Sequence, residues 1–366
     1  IRMKVGDEMF ANQVSKRRGP AFLATALVGA LTAAVGLSGC SGSKDLQQSE
    51  VVGNAVEITE TGAPVTIGLT YVPNVQFAPV YVAAADDVFF GAGIAASIRH
   101  HGVDEGLFTA LTNGEEDVTV ASGDEVLQAR AAGLDVVSIG AYYDKYPVVI
   151  ITKADSGIET VEDLAGKTVG LPGEFGSNWF GLLAALDAAD MTTSDIEVVS
   201  VGFTQAAALA GDQVDAVVGF INSDAVQLEE MGQDITIIDL APTPVPLVGA
   251  AIITTEGWVE ENPDLASLVV ESIVAGMDRV IANPQHALEV TEKWDAGLKD
   301  KDVRQSASAL LKATIELWER EDGSASAVQD LDTWEAMAPF LAGILDVSEE
   351  DMDEPAAVTN EFAGRP

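Results

Sequence analysis

The 366-residue chain is 48% hydrophobic with 34 Gly and 14 Pro, a composition that builds a real core and, at about 150 residues per domain, two domains. Nineteen Lys and Arg against 58 Asp and Glu leave a net charge of −39, which repels phosphate backbones and anionic lipid and so excludes nucleic-acid binding and a basic membrane face. One Cys excludes a disulfide framework, and 3 His leave little for a His-based zinc centre.

At the N-terminus, Lys16-Arg17-Arg18 precede an apolar run over 21–35, the length of a signal h-region and too short for a comfortable membrane span. The run ends in Leu37-Ser38-Gly39-Cys40 and a polar stretch, Ser41-Gly42-Ser43-Lys44, which together have the form of a lipobox. Residues 1–39 are therefore expected to be a lipoprotein signal peptide, with Met9 as the start of translation and Cys40 as the lipidated residue. Lipidation would hold the protein outside the cytoplasm on the membrane surface. Residues 40–63, rich in Ser, Gly, Gln and Glu, read as a flexible tether.

From Val65 onward, short β-branched runs alternate with helical stretches, the mark of an α/β protein with mostly parallel sheets. Strands are predicted at 65–69, 96–99, 118–120 and 136–139, with helices over 77–85, 105–111 and 125–132 between them. Thr160-Val161-Glu162-Asp163 has a capping-box form and opens a second set. Its strands are 168–171, 198–201, 216–219 and 235–238, with helices over 177–189, 204–210 and 224–231. After Trp258 the strands stop, and 265–281, 286–294, 303–318 and 330–341 read as helices. Two further β-like runs, 148–151 and 250–254, bracket the second set and are expected to form a two-strand hinge. The organisation predicted is lobe one over 64–150, lobe two over 151–252, a return to lobe one with a helical tail over 253–345, and an acidic tail over 346–366.

In open α/β sheets ligands bind beyond the carboxyl ends of the strands. The residues that follow the predicted strands are Asn74, Gln76 and Phe77; His100 and His101; Asp124 and Glu125; Tyr142; Glu174, Phe175, Asn178 and Trp179; Thr204; and Asn222. This set is aromatic, amide and carboxylate. It contains no Lys or Arg, and the nearest cations are Arg130 and Lys145. Sulfonate, nitrate or phosphate would want a guanidinium or ammonium. A neutral or amine-bearing planar ring fits better, stacked on Trp179, Phe175 or Tyr142, with its N–H donors on Asn74, Glu125, Asp124 or Asn178. Any one of these aromatics is more often core than ligand contact, and Asp124 and Asp224 also suit helix N-caps. His100 and His101, adjacent on a strand, would face opposite sides. No nucleophile elbow, phosphate loop or HExxH helix is present, and nothing calls for a cofactor or a metal.

Three stretches carry a family resemblance: Tyr71-Val72-Pro73-Asn74-Val75-Gln76-Phe77-Ala78-Pro79-Val80-Tyr81-Val82-Ala83, Ser156-Gly157-Ile158-Glu159-Thr160-Val161-Glu162-Asp163-Leu164-Ala165-Gly166-Lys167, and Gln213-Val214-Asp215-Ala216-Val217-Val218-Gly219. Over about 65–345 the chain resembles the substrate-binding proteins of bacterial ABC importers, in the branch that includes binders of thiamine pyrimidine precursors, riboflavin, and alkanesulfonate, nitrate or taurine. The resemblance implies a two-lobed type II periplasmic-binding-protein fold closing on its ligand like a flytrap, with C-terminal helices packed on lobe one. It also implies a monomer, an ABC permease and ATPase as partners, and no chemistry on the ligand. Val88-Phe89-Phe90 stands where the family usually has Gly-Tyr-Phe, a structural segment. Relatives that synthesise pyrimidines carry a Cys-rich motif, which this chain lacks, since its one Cys is Cys40.

The resulting expectation is a lipid-anchored solute-binding protein for a small aromatic heterocycle, a thiamine pyrimidine precursor or riboflavin. A sulfonate, nitrate or taurine binder is the alternative within the class, and a pyrimidine-synthase-like enzyme the alternative outside it. Trp179→Ala is expected to weaken ligand binding by about 1–3 kcal/mol, the cost of losing a stacking partner; an unchanged affinity in calorimetry would remove Trp179 from the site.

Overall fold

The computed structural model describes residues 62–70, 72–101, 105–240 and 246–364; the signal segment 1–39, Cys40 and most of the tether lie outside them. The β-branched runs become β1 (Ala63–Leu69), β2 (Ile94–His100), β3 (Val118–Ser122), β4 (Val136–Ala141), β5 (Val148–Lys153), β6 (Thr168–Leu171), β7 (Glu197–Ser200), β8 (Ala216–Phe220), β9 (Ile235–Asp239) and β10 (Ala250–Thr255). They assemble into two five-stranded sheets, ordered β2-β1-β3-β10-β4 and β7-β6-β8-β5-β9. In each sheet one strand runs against the rest: β10 is antiparallel to β3 and β4, and β5 is antiparallel to β8 and β9. The remaining pairs are parallel.

The two runs expected to form a strand hinge are these two antiparallel strands. β5 is buried along nearly its whole length, as are the four middle residues of β10. Such runs suit the interior of a sheet covered on both faces rather than a linker. β4 and β5 are joined through 142–147, and the second sheet is built from strands between 148 and 239.

Two helices differ from expectation. Over 105–111 only the turn Thr109–Thr112 forms, because the Glu105 carboxylate is drawn to Arg99 at 2.7 and 2.8 Å and Gly106 is a poor helix former. The helix expected over 224–231 begins instead with a wide π turn, Ile221–Ala225, before Val226–Glu230. Asp224 turns back to accept the Phe220 N–H at 2.8 Å, and this opens the turn.

The late helices pack on lobe one. Pro263–Ala282 lies so close to Ala78–Ala85 that a Cβ added to Gly276 would stand 2.2 Å from the Pro79 carbonyl oxygen. Lys301–Trp318 also reaches lobe two, packing on Ile221–Ala225 and Val226–Glu230 as well as on the lobe-one turn Val75–Phe77. The acidic tail docks on lobe one: Met352 and Ala357 are fully buried, Val358 bridges Ser138, and Arg130 pairs with Asp353 at 2.5 Å. Buried Gln329 ties this segment down, donating to Thr359 O at 2.9 Å while its backbone N–H donates to Asn360.

Because backbone cannot recede as a flexible side chain can, Gly276→Ala is expected to destabilise the fold by roughly 1–3 kcal/mol. Thermal unfolding checks this, and an unchanged midpoint would mean the two helices are not held at this spacing.

Candidate ligand site between the lobes

The carboxyl ends of the parallel strands of both sheets carry the candidate residues, and two of these edges touch. Ser177, at the start of the helix Gly176–Ala188 in lobe two, donates its hydroxyl to Asp124 in lobe one, at 3.2 Å to Oδ1 and 3.3 Å to Oδ2. Tyr146, on the crossover between the lobes, donates to the Ser177 carbonyl at 3.0 Å. Phe180 and Ala184 of the same helix join a cluster with Leu127, Leu247 and Trp334 of lobe one. Trp179 is half-buried against clusters of both lobes.

Local sequence chemistry sets Asp124 in place. Ser122 is the N-cap of the helix Gly123–Ala131, and Glu125 reaches back to the Ser122 N–H at 2.9 Å and its hydroxyl at 2.8 Å. Asp124 is thus one residue inside the helix, free of cap duty and turned toward lobe two. Gly123 is needed beside it, because an added Cβ would lie 2.6 Å from Val248 Cβ on the returning crossover.

Burial dominates the electrostatics. Asp124 is fully buried, and desolvation together with the charge of Glu125 pushes its carboxyl up to about 7, opposed by hydrogen bonds from Ser122 and Ser177. Desolvation also raises Glu125, against the hydrogen bonds from Ser122. Burial, then the charge of Asp124, raises the Tyr146 phenol. No cation relieves these carboxylates. Arg130 sits at the far end of its helix and is spent on Val136 O, Glu256 and Asp353. Lys145 donates to Glu316 O at 2.7 Å in an acidic hollow on the hinge side, lined also by Asp144, Glu319 and Asp322.

Two amides add fixed acceptors. Asn178 Nδ2 donates to Val218 O at 3.3 Å, and Asn222 Nδ2 donates to Thr314 Oγ1 at 3.0 Å. Both side chains are buried, and in each the Oδ1 has no hydrogen-bond partner among the described residues. An acceptor desolvated in this way costs about 1–3 kcal/mol unless a donor reaches it.

The other candidates divide between rim and core. Glu174 and Phe175 are exposed, and the Phe175 ring lies over Gly173, where a Cβ would come within 2.4 Å of it. Thr204 is exposed and donates to Val201 O at 2.6 Å. Asn74 caps the turn Val75–Phe77 by accepting the Gln76 N–H at 3.1 Å. Tyr142, expected as a stacking surface, is instead built into the hinge core: it is 2% exposed, its hydroxyl donates to Gln76 O at 2.8 Å, and its ring meets Trp318 edge-on. Phe77 is likewise core, edge-on to His100. His101 is buried and bonds Glu116 at 2.9 Å, while His100 takes the Tyr81 hydroxyl at 2.8 Å, so the two rings face apart. Ser122 and Ser177 also follow predicted strands, and the contact of Tyr146 with Ser177 adds Tyr146 to the set. No cluster of three or more His, Cys, Asp or Glu among the described residues is arranged to hold a metal ion.

Two sheets, each with one antiparallel strand supplied as the chain crosses between lobes, and with their carboxyl edges meeting, define the two-lobed type II periplasmic-binding-protein fold. The aliphatic sulphonate binding protein SsuA of Escherichia coli shares it, with a TM-score of 0.65 at 17% identity over 80% of this chain and 96% of that one. The NMT1/THI5-like family model matches residues 74–287, and the chain belongs to that family. It is 32% identical over 306 residues to the riboflavin-binding protein RibY of Chloroflexus aurantiacus, covering 81% of this chain and 85% of RibY. It is 25% identical over 293 residues to the formylaminopyrimidine-binding protein of Halalkalibacterium halodurans, covering 79% and 87%.

An unfolded Asp ionises near 3.9, whereas folded Asp124 holds its proton to about 7. Folding therefore takes up a proton between these values, and stability falls as pH rises through this window before levelling above it. Asp124→Asn has no proton to lose, so its unfolding free energy should fall less between pH 5 and pH 8 than that of the wild type, by on the order of a few kcal/mol. Parallel slopes in chemical denaturation would show that Asp124 is not held protonated.

Proposed function

We propose that this chain is the solute-binding component of an ABC importer, held outside the cytoplasm by lipid on Cys40, and that it binds a small neutral or amine-bearing aromatic heterocycle between its lobes. Riboflavin is the favoured ligand and a thiamine pyrimidine precursor the second. The observation that carries this reading is the chemistry at the strand ends: buried carboxylates, a buried Asn178 oxygen with no hydrogen-bond partner among the described residues and an aromatic rim, with both neighbouring cations engaged elsewhere. Ring N–H and hydroxyl donors would satisfy those acceptors, and a sulfonate would not. The riboflavin-binding relative at 32% identity supports the first ligand, and the formylaminopyrimidine-binding relative supports the second.

The mechanism is binding, closure and hand-over to the permease. Ser177 and Asp124 are the pair that meets when the lobes are together, and Tyr146 steadies Ser177 from the crossover. The histidines offer little for catalysis, since each ring already holds a protein partner.

Protein purified from cells and then denatured should release a flavin, visible as a yellow chromophore, or a pyrimidine amine, seen by mass spectrometry. If it emerges empty, ligand added at 100 times its dissociation constant should raise the unfolding free energy by about 2.7 kcal/mol. A shift with alkanesulfonates and none with heterocycles would overturn the ligand class, and turnover of the ligand would overturn the binding role.

A further inference from the structure

Resting on the ring-ligand reading above, we infer that Asp124, in its ionised form, keeps phosphorylated and sulfonated ligands out of the cleft. Its placement carries the argument. Asp124 is the second residue of the helix Gly123–Ala131, and its hydrogen-bond partner Ser177 is the second residue of Gly176–Ala188, so the starts of two helices from different lobes meet at one carboxylate. Helix starts carry partial positive charge and exposed N–H groups, which makes such a junction attractive to an anion. Here the chain fills it with its own side chain, fully buried and backed by Glu125. The geometry is rigid, because Val248 leaves no room for a Cβ at Gly123.

A ligand phosphate arriving there would meet a carboxylate at short range with no counter-charge. Arg130 and Lys145 are committed to Glu256, Asp353 and Glu316, and Arg99 to Glu105 and Glu116. Ring donors meet the opposite situation, since Asn178 Oδ1 is buried with no hydrogen-bond partner among the described residues. Like charges at short range in a partly desolvated site correspond to more than a tenfold loss of affinity. The surface field from a net charge of −39 also repels anions, but salt screens exposed charges and leaves a buried one largely unscreened.

The test measures dissociation constants for riboflavin and riboflavin 5′-phosphate by flavin fluorescence at pH 8, in low and in 0.5 M salt (roughly a 4 Å screening length). The expected result is a preference of at least tenfold for the unphosphorylated flavin that persists in high salt, and a fall of at least fivefold in that ratio in Asp124→Asn. Equal binding of the two flavins by the wild type overturns the inference and leaves the ring-ligand reading standing. So does a preference that vanishes in high salt, which needs no variant to fold, or an unchanged ratio in Asp124→Asn. Should the protein take a pyrimidine amine instead, the amine and its phosphate ester are the pair measured. Binding of none of these rings overturns the reading and the inference together.

Discussion

The site depends on where β5 and β10 run. The chain leaves the first sheet after β4, enters the second as β5 between β8 and β9, and returns to the first as β10 between β3 and β4, each time against the direction of its neighbours. A strand buried between two others cannot leave without exposing apolar side chains and breaking two ladders of hydrogen bonds. The crossovers are thereby anchored at both ends. Tyr142, Tyr143 and Tyr146 on one crossover and Val248 on the other are held between the sheets, and the two carboxyl edges are brought to the same place.

Within that frame the chemistry is one of acceptors. A protein with 58 acidic residues would be expected to keep its carboxylates in water. Asp124 is instead dry, supported only by hydroxyls and the helix starts around it. The amides repeat the theme, with each Nδ2 fixed by the protein and each Oδ1 left for something else. The aliphatic sulphonate binding protein from Escherichia coli shares this fold. A shared architecture does not by itself fix the ligand.

The hinge side has a separate logic. Lys301–Trp318 packs on both lobes, with Trp318 against Tyr142 and Tyr143 and Thr314 bonded to Asn222. Burial raises both phenols, with the neighbouring Asn222 side chain partly offsetting the rise at Tyr143. This aromatic core gives the crossover a fixed back wall. Tyr142 follows a strand, and the helix that covers it arrives from more than 150 residues later in the chain.

Periodicity and residue type determined most of the fold by themselves. Period-two β-branched runs gave the strands to within a few residues, as with Thr168–Leu171, because side-chain alternation and chain stiffness are local properties. The candidate set followed from one topological rule, which placed Asp124, Glu125, Asn178 and Asn222 just beyond the strands once those were drawn. Other features were decided only by distant parts of the chain meeting. The insertion of β5 and β10 depends on which sheet offers a gap. The retirement of Tyr142, Phe77 and His101 into the core depends on Trp318, the helical tail and Glu116. The partnership of Asp124 with Ser177 joins residues 53 apart across two lobes. Local sequence encodes the conformations a segment prefers, while burial and pairing belong to the assembled chain, because desolvation is set by whatever covers a group and not by its neighbours in sequence.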